Sequence, residues 1–314
     1  SGISAMLSGI VIEAGLIAML RSLGALTGLN GEGVSIVTWG PLLMAFGALN
    51  MLIGNLMALR QTQVKRLLAF SSLSHMGYIV TGVGIAMYAH QAAGAEGGMF
   101  HLLNHGLMKG LAFLAVGALM YVVGQASLHA KETELAEPQS HGPLTIHDLD
   151  GAAQRYPIIA LVLSLAVLGL GGLPPLAGFM SKWQIFVAGF STQNLWINLL
   201  VVFMALNSVL SLGYYAPMVN AVYRKRPSQA VLAGGKAPVA MTVPLILMAL
   251  ALPIEKVAAA ADLMFILLFL QVNVALLILR RRRPDLDRGF SVPVAGVATT
   301  AAGIFQFLLL ACSI

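Results

Sequence analysis

Three titratable side chains, His101, His105 and Lys109, stand four residues apart within one apolar stretch, with Asn104 beside them. On an α-helix this spacing places the three on one face, one turn apart. A histidine exchanges its proton near neutral pH, and burial brings a lysine toward that range. Such a ladder can pass protons through intervening water molecules, although the same groups could simply hydrogen-bond to neighbouring helices. Three stacked titratable groups favour the proton ladder.

Another lysine, Lys182, follows a segment that no straight helix accommodates. The apolar stretch at 158–190 is too long for one span and contains the sequence GLGGLPPLAGF, in which Pro174, Pro175 and Gly178 mark a predicted break. Paired prolines remove backbone donors and clash with the preceding turn. A helix broken within the membrane exposes backbone groups to a hydrated cavity. There Lys182 could exchange its proton; the alternative is a lysine that extends to the membrane surface.

Two further ionisable side chains, Glu13 and His75, lie in apolar stretches. A charge at bilayer depth costs about 2.5–3.5 kcal/mol, so each is a functional candidate. Glu13 is either a proton-carrying carboxyl or half of an ion pair between helices. His75 follows Ser71, Ser72 and Ser74 near the start of another stretch, where polar groups could cap the helix or line a water path. We assign the serines to a cap and His75 to the path.

The composition excludes a soluble domain. Hydrophobic residues make up 58% of the 314 and charged residues only 10%, against roughly a quarter charged in soluble proteins. The formal charge of +6 therefore indicates basic cytoplasmic loops rather than nucleic-acid binding. The single cysteine, Cys312, cannot form an intrachain disulfide. The sequence shows no metal-ligand set, Walker loop or dinucleotide fingerprint, so we predict neither a metal nor a cofactor.

The apolar pattern predicts an all-α fold, a polytopic bundle of about nine transmembrane helices, because about 20 apolar residues cross a bilayer. Barrel strands would instead alternate apolar and polar residues. The predicted spans are 3–23, 38–59, 68–89, 98–123, 158–190, 195–222, 239–252, 261–279 and 292–310. The chain starts abruptly inside an apolar stretch without Met, which indicates a piece of a longer protein.

The distribution of Lys and Arg predicts the orientation. Fourteen of them lie in the even-numbered loops, and only Arg21 and Lys256 lie in the odd-numbered ones. Because positive charge accumulates on the cytoplasmic side, we predict that the even loops and the N-terminus of this chain are cytoplasmic. The longest loop, roughly residues 125–156, is predicted to be a surface connector.

Three segments carry a family resemblance: LRQTQVKRLLAFSSLSHMGY at 59–78, FHLLNHGLMKGLAFLAVGAL at 100–119 and LGGLPPLAGFMSKWQIF at 170–186. Together they resemble the proton-conducting membrane transporter family. That family includes the antiporter-like subunits L, M and N of NADH–quinone oxidoreductase, with relatives in Mrp antiporters and membrane-bound hydrogenases. The resemblance covers roughly residues 1–252, which we predict form an antiporter-like domain. Residues 253–314 are predicted to form a C-terminal hairpin.

The resemblance implies a fourteen-helix subunit of two inverted five-helix repeats, of which this chain looks like helices eight to fourteen. It implies that Lys109 is a relay in the central axis, that Lys182 guards the outer exit, and that His101 and His105 fill ladder positions. The position of Glu13 typically holds Lys or His in the family. A glutamate there either interrupts the link between half-channels or reverses its charge.

The function predicted from these features is proton translocation by a relay along Lys109, His105, His101 and Lys182. The resemblance implies partner subunits of a complex I-like assembly in a bacterial or archaeal plasma membrane. Those partners would supply the redox energy, while this chain would hold no redox centre. Residues 261–293 resemble late helices of APC-type amino-acid permeases. The alternatives are therefore an amino-acid carrier, a Mrp-type sodium/proton antiporter subunit and a non-functional fragment.

Overall fold

Helices make up the regular structure wherever the computed structural model describes the chain, at residues 2–26, 36–132, 144–174 and 176–250. These residues belong to one compact unit and include no β-strand, so the predicted all-α class is confirmed. The elements, in chain order, are α1 Gly2–Met6, a π-helical turn Leu7–Val11, α2 Ile12–Leu26, α3 Ile36–Leu59, α4 Val64–Ala89, α5 Ala92–Glu132, a 3₁₀ turn His147–Leu149, α6 Ala152–Arg155, α7 Pro157–Gly171, α8 Ala177–Phe190, α9 Leu195–Val222, α10 Gln229–Ala233 and α11 Val239–Leu250.

In the described part of the chain, 4 helices are long and apolar enough to cross a membrane. They coincide with the second, third, fourth and sixth predicted spans. The helical ranges are Val37–Leu59, Val64–Ala89, Ala92–Val123 and Leu195–Val222. Large apolar side chains such as Leu199, Leu206 and Val209 of α9 are exposed. A helix that is apolar on its outer face as well as its inner face is typical of a membrane span.

The remaining predicted spans differ in how far the structure describes them. The first forms a nearly continuous helix from α1 through the π-helical turn to α2, and the seventh forms α11, which has 12 residues. The predicted spans 261–279 and 292–310 lie outside the described residues, as does the hairpin predicted at 253–314. The total of about nine spans and the division at residue 252 therefore stay predictions.

Glycines bring α3 and α4 into backbone contact. A Cβ added to Gly77 would lie 2.5 Å from the Gly47 carbonyl oxygen, and a Cβ added to Gly54 would lie 2.5 Å from the Ser74 nitrogen. Neither position tolerates a side chain without moving a helix. The central part of α4 is enclosed in the bundle, and His75 is an interior residue.

The predicted break in the fifth span is present, but a glycine starts it. α7 ends at Gly171, and Gly172 adopts a left-handed conformation with φ 78°. The Gly172 amide donates to the Gly169 carbonyl (3.0 Å) and the Leu173 amide donates to the Leu168 carbonyl (3.2 Å), the pattern of a glycine-terminated helix. Pro174 follows this turn, and Pro175 lies outside the described residues. The prolines therefore come after the helix has already ended.

Gly178 lies outside the break to which the sequence pattern assigned it. It is the second residue of α8, where a Cβ would overlap the Gly169 carbonyl oxygen and lie 3.1 Å from Met108 Cε. The physical reason for a glycine is thus close packing of α8 against the end of α7. This contact sets the depth of α8 and of the lysine that it carries.

The long connector predicted at 125–156 is partly wrong, because α5 continues to Glu132. Further along, the segment from residue 144 packs against the end of α9. The Gly151 amide donates to the Ala221 carbonyl (2.9 Å), and Arg224 forms an ion pair with Asp150 (2.7 Å). The described end of this connector is therefore an ordered cap on the bundle.

Candidate functional site

The long helix α5 carries four polar side chains into the interior of the bundle. His101, Asn104, His105 and Lys109 are all fully buried. The Asn104 amide donates to the carbonyl of Ala177 (3.1 Å), which joins α5 to the first turn of α8. Three titratable groups thus lie along one enclosed face, at the spacing of successive helical turns.

His75 of α4 lies between the two histidines of α5. Its Nδ1 is 3.0 Å from His101 Nε2, and its ring centroid is 5.2 Å from those of both His101 and His105. The two hydrogen-bonded nitrogens share one proton, and the tautomer decides which of them donates. His75 therefore connects two side chains that the ladder along α5 leaves a full turn apart.

Ser181 of α8 extends this hydrogen-bonded row. Its hydroxyl lies 2.7 Å from His101 Nδ1 and 3.2 Å from the Gly178 carbonyl oxygen. Both nitrogens of His101 consequently have hydrogen-bond partners, one on each side. An imidazole held in this way can receive a proton at one nitrogen and release one from the other, and the adjacent hydroxyl can do the same.

Glu13 of α2 approaches His105 of α5. Its Oε1 lies 3.5 Å from His105 Nδ1, and its side chain is 19% exposed whereas His105 is fully buried. Gly106 makes room for it, because a Cβ there would lie 2.5 Å from Glu13 Oε1. Neither Glu13 Oε1 nor a His105 ring nitrogen has a hydrogen-bond partner among the described residues. The pair can form an ion pair when His105 is protonated.

Lys109 faces α4 rather than the histidines. Its Nζ donates to the Leu68 carbonyl (2.6 Å) and to the Ser71 hydroxyl. The predicted serine cap is wrong, because α4 already begins at Val64, and the Ser71 hydroxyl donates to the Leu68 carbonyl within the helix (2.9 Å). The Ser72 hydroxyl donates to the same carbonyl (3.2 Å) and contacts the Ser8 hydroxyl (2.5 Å). The Ser71 hydroxyl therefore binds Lys109, and neither Ser71 nor Ser72 ends the helix.

Lys182 is buried next to the helix break and does not extend to the membrane surface. Its Nζ donates to the Leu170 carbonyl (3.0 Å) and to the Ser208 hydroxyl (3.1 Å). The last carbonyls of an interrupted helix lack partners in the next turn, so they are available to bind a cation. The Ser208 hydroxyl also lies 3.3 Å from the Gly171 carbonyl oxygen. The break therefore provides the oxygens that solvate Lys182.

Tyr78, which the sequence pattern does not predict as a site residue, lies between Lys182 and the histidines. Lys182 Nζ is 4.9 Å from the centre of the Tyr78 ring, and the His101 ring centroid lies 5.9 Å from that of Tyr78. The Tyr78 hydroxyl donates to the Met204 carbonyl (3.0 Å), which fixes the ring. Because Tyr78 follows His75 by three residues, the sequence predicts that the two share a helical face. It does not predict that Tyr78 contacts Lys182 of α8.

We expect the Tyr78 ring and the Lys182 ammonium to be energetically coupled. A desolvated cation over an aromatic face contributes about 1–2 kcal/mol. A double-mutant cycle of Tyr78→Leu and Lys182→Met, measured as denaturant-induced unfolding of the purified protein in detergent, should return that coupling energy. Tyr78→Phe keeps the ring and serves as the control, with most of the coupling retained. A coupling energy near zero would show that the Tyr78 ring only fills space.

A separate polar cluster joins α3 to α9. The Asn55 amide donates to the Asn207 carbonyl (2.9 Å), and the Tyr214 hydroxyl donates to Asn55 Oδ1 (2.9 Å). Each of these three residues is a single polar residue within an apolar stretch, so the sequence does not predict that they form a cluster. Within the part of the chain that the structure describes, no group of three or more His, Cys, Asp or Glu side chains could hold a metal ion.

The chain is similar in sequence and fold to known membrane proteins. The sequence pattern of the family described as "NADH:quinone oxidoreductase/Mrp antiporter, TM" matches residues 2–210. The chain is 34% identical over 201 residues to hydrogenase-4 component B of Escherichia coli (strain K12), a match that covers 61% of this chain and 26% of that protein. It is 38% identical over 192 residues to NADH-quinone oxidoreductase subunit N of Syntrophotalea carbinolica, with 61% and 36% covered.

The chain therefore spans about a quarter to a third of the length of these two relatives. Among solved structures, a chain of the membrane-bound sulfane sulfur reductase, an archaeal respiratory membrane complex, matches with a TM-score of 0.63 at 28% identity. That match covers 80% of this chain and 45% of the matched one. All three similar proteins are named as components or parts of larger assemblies.

Proposed function

Since this chain belongs to the NADH:quinone oxidoreductase/Mrp antiporter transmembrane family, we propose that it translocates protons as a subunit of a respiratory NADH–quinone oxidoreductase-type complex. The chain is a multi-pass membrane protein. The observation that supports the proposal is the enclosed hydrogen-bonded row His75, His101 and Ser181. A row of exchangeable protons inside an apolar bundle is costly to bury and is typical of a proton pathway.

The proposed relay has a defined order. Lys109 exchanges its proton with His105 through water, and His105 exchanges with His75, whose ring is a neighbour at 5.2 Å between centroids. From His75 the proton passes to His101 and then to Ser181 along direct hydrogen bonds. Lys182 receives it at the helix break. Each step moves a proton between groups that can both donate and accept.

Glu13 acts as a side branch of this relay. Its side chain is 19% exposed and its carboxylate faces His105, which supports a role in contact with another half-channel. We propose that a proton on His105 is held by Glu13 until the neighbouring half-channel changes its charge. In this chain the charge of the neighbouring half-channel would therefore act on an attractive Glu13–His105 pair. A lysine or histidine at position 13 would instead repel a protonated His105.

The proposed setting is a bacterial or archaeal plasma membrane, with the basic even-numbered loops and the N-terminus of this chain cytoplasmic. Other membrane subunits would carry the redox chemistry and transmit its energy electrostatically. This chain would need no redox cofactor of its own, since the proposed relay consists of side chains and water.

A Mrp-type sodium/proton antiporter subunit is the second candidate, and the surroundings of Lys182 favour it. The ammonium is bound by the Leu170 carbonyl and the Ser208 hydroxyl. Carbonyl and hydroxyl oxygens at a broken helix also suit a sodium ion. Such a site would exchange the lysine proton for sodium.

Ion-resolved transport separates the two candidates. The native complex that contains this chain would be reconstituted in proteoliposomes, with internal pH followed by a dye and sodium uptake followed with a radioactive tracer. We expect proton translocation that persists at the same rate without sodium. Sodium movement in fixed ratio to protons would favour the antiporter, and the absence of any proton movement would contradict both candidates.

A further inference from the structure

A groove of about 390 Å³ opens at one end of the bundle, between the start of α7 and the segment that leads into α11. Its lining includes two cations, Arg155 and Lys236, at its rim, and the side chains of Ile158, Ile159 and Thr242. The groove is separate from the buried histidines and lysines, and the proposed proton relay does not use it.

The rim of the groove is positively charged. Lys236 is exposed and has no hydrogen bond or ion pair among the described residues. The Arg155 guanidinium donates to the Val231 carbonyl (3.3 Å) and to the Leu232 carbonyl, neutral groups that hold the side chain without cancelling its charge. By contrast, Arg224 nearby is neutralised by Asp150. The groove therefore combines two cations without a paired carboxylate in the described residues.

The walls of the groove continue as apolar faces of two helices. On α7, Ile158 is 46% and Leu161 is 53% exposed, and on α11, Val243 is 45% and Leu247 is 61% exposed. In both helices the exposed apolar side chains follow at helical spacing away from the charged rim. The two cations correspond to the anionic head group of a phospholipid, and the two exposed apolar helix faces correspond to its acyl chains.

The groove is also held in shape before any ligand arrives. The Tyr156 hydroxyl donates to the Gly235 carbonyl (2.8 Å), which fixes the residue next to Lys236. The contacts of Arg155 with Val231 and Leu232 fix the end of α10 in the same way. A preformed site loses less conformational entropy when it binds.

We propose that this groove binds one anionic phospholipid, with its phosphate between Arg155 and Lys236 and its acyl chains along α7 and α11. Basic pockets between helices at a membrane surface bind such head groups, and arginine binds phosphate with two parallel hydrogen bonds. The lipid would hold α10 and the loop before α11 against α7. The proposal does not depend on which ion the relay carries.

The test compares Lys236→Gln with Lys225→Gln in the native complex. Lys225 is exposed on the same end of the bundle but does not line the groove, so both variants lose the same charge. Bound phosphatidylglycerol and phosphatidylethanolamine would be counted by native mass spectrometry during stepwise delipidation. We expect Lys236→Gln to weaken binding of the most strongly retained phosphatidylglycerol about five-fold, and Lys225→Gln to leave it unchanged.

A second variant, Thr242→Trp, fills the groove without altering its charge and should also release the lipid. Equal phosphatidylglycerol retention in both lysine variants would overturn the proposal, as would equally strong retention of phosphatidylethanolamine. Displacement of the lipid by millimolar inorganic phosphate would show that the site recognises free phosphate, and would also overturn it. Retention of phosphatidylglycerol in Thr242→Trp would place the lipid elsewhere.

Discussion

The Lys109→Met variant is expected to assemble with its partners and to translocate protons at least about a hundred-fold more slowly. Transfer by a positioned acid–base group contributes about 10²–10⁴-fold, and Lys109 is the first member of the proposed relay. Its removal should cost little folding energy. The Ser71 hydroxyl keeps its hydrogen bond to the Leu68 carbonyl, so no buried polar group loses its last partner.

Methionine has nearly the length of lysine and avoids the cost of burying a charge, which makes the variant neutral or stabilising. Proton pumping per turnover and subunit content would be measured on the same membranes. Lys65→Met provides the matched control, since Lys65 lies at the start of α4 away from the histidines and should pump normally. Normal pumping by Lys109→Met would refute the relay role, and loss of assembly would show that Lys109 is structural.

How far the sequence predicts this site depends on whether a feature is local. Helical periodicity is local, so the common face of His101, His105 and Lys109 follows from their spacing alone. The burial of Lys182 also follows from the apolar residues on both sides of it. These two inferences required no knowledge of which helices are neighbours.

Contacts between helices join residues that are far apart in the sequence, so the sequence predicts them incompletely. The sequence places His75 on a water path, but its position between His101 and His105 depends on how α4 packs against α5. Ser181 and Tyr78 carry no distinguishing signal, because serine and tyrosine are common in membrane helices for other reasons. A hydroxyl becomes part of a proton pathway only through its partner.

The helix break shows a second reason for error. Two adjacent prolines are a sufficient cause for the end of a helix, so the sequence pattern alone predicts the break at Pro174 and Pro175. Gly172 ends α7 first because only a left-handed residue allows the amides of Gly172 and Leu173 to turn back onto the last turn. Its closeness to the prolines also places Gly178 in the predicted break. In the structure a glycine is needed there because α8 packs directly against the Gly169 carbonyl.

Gly178→Ala is expected to reduce proton translocation about a hundred-fold and to lower thermal stability. The added methyl group would overlap the Gly169 carbonyl oxygen, which belongs to the backbone and cannot rotate away. α8 must then move away from α7 by roughly 1 Å, and a misplacement of that size costs about 10²-fold in catalysed transfer. Ser181 lies one turn further along α8, so its contact with His101, now 2.7 Å, would lengthen beyond hydrogen-bonding distance.

Gly110→Ala is the matched control, because its added Cβ would meet only the flexible end of Met248 at 3.4 Å. Gly110 is adjacent to Lys109 on α5, so any general sensitivity of this region to an extra methyl group would appear there too. Translocation and thermal unfolding of both variants would be measured in the native complex. If Gly178→Ala pumped like Gly110→Ala, the fit of α8 against α7 would not control the pathway, and Lys182 would have to reach its partners by another route.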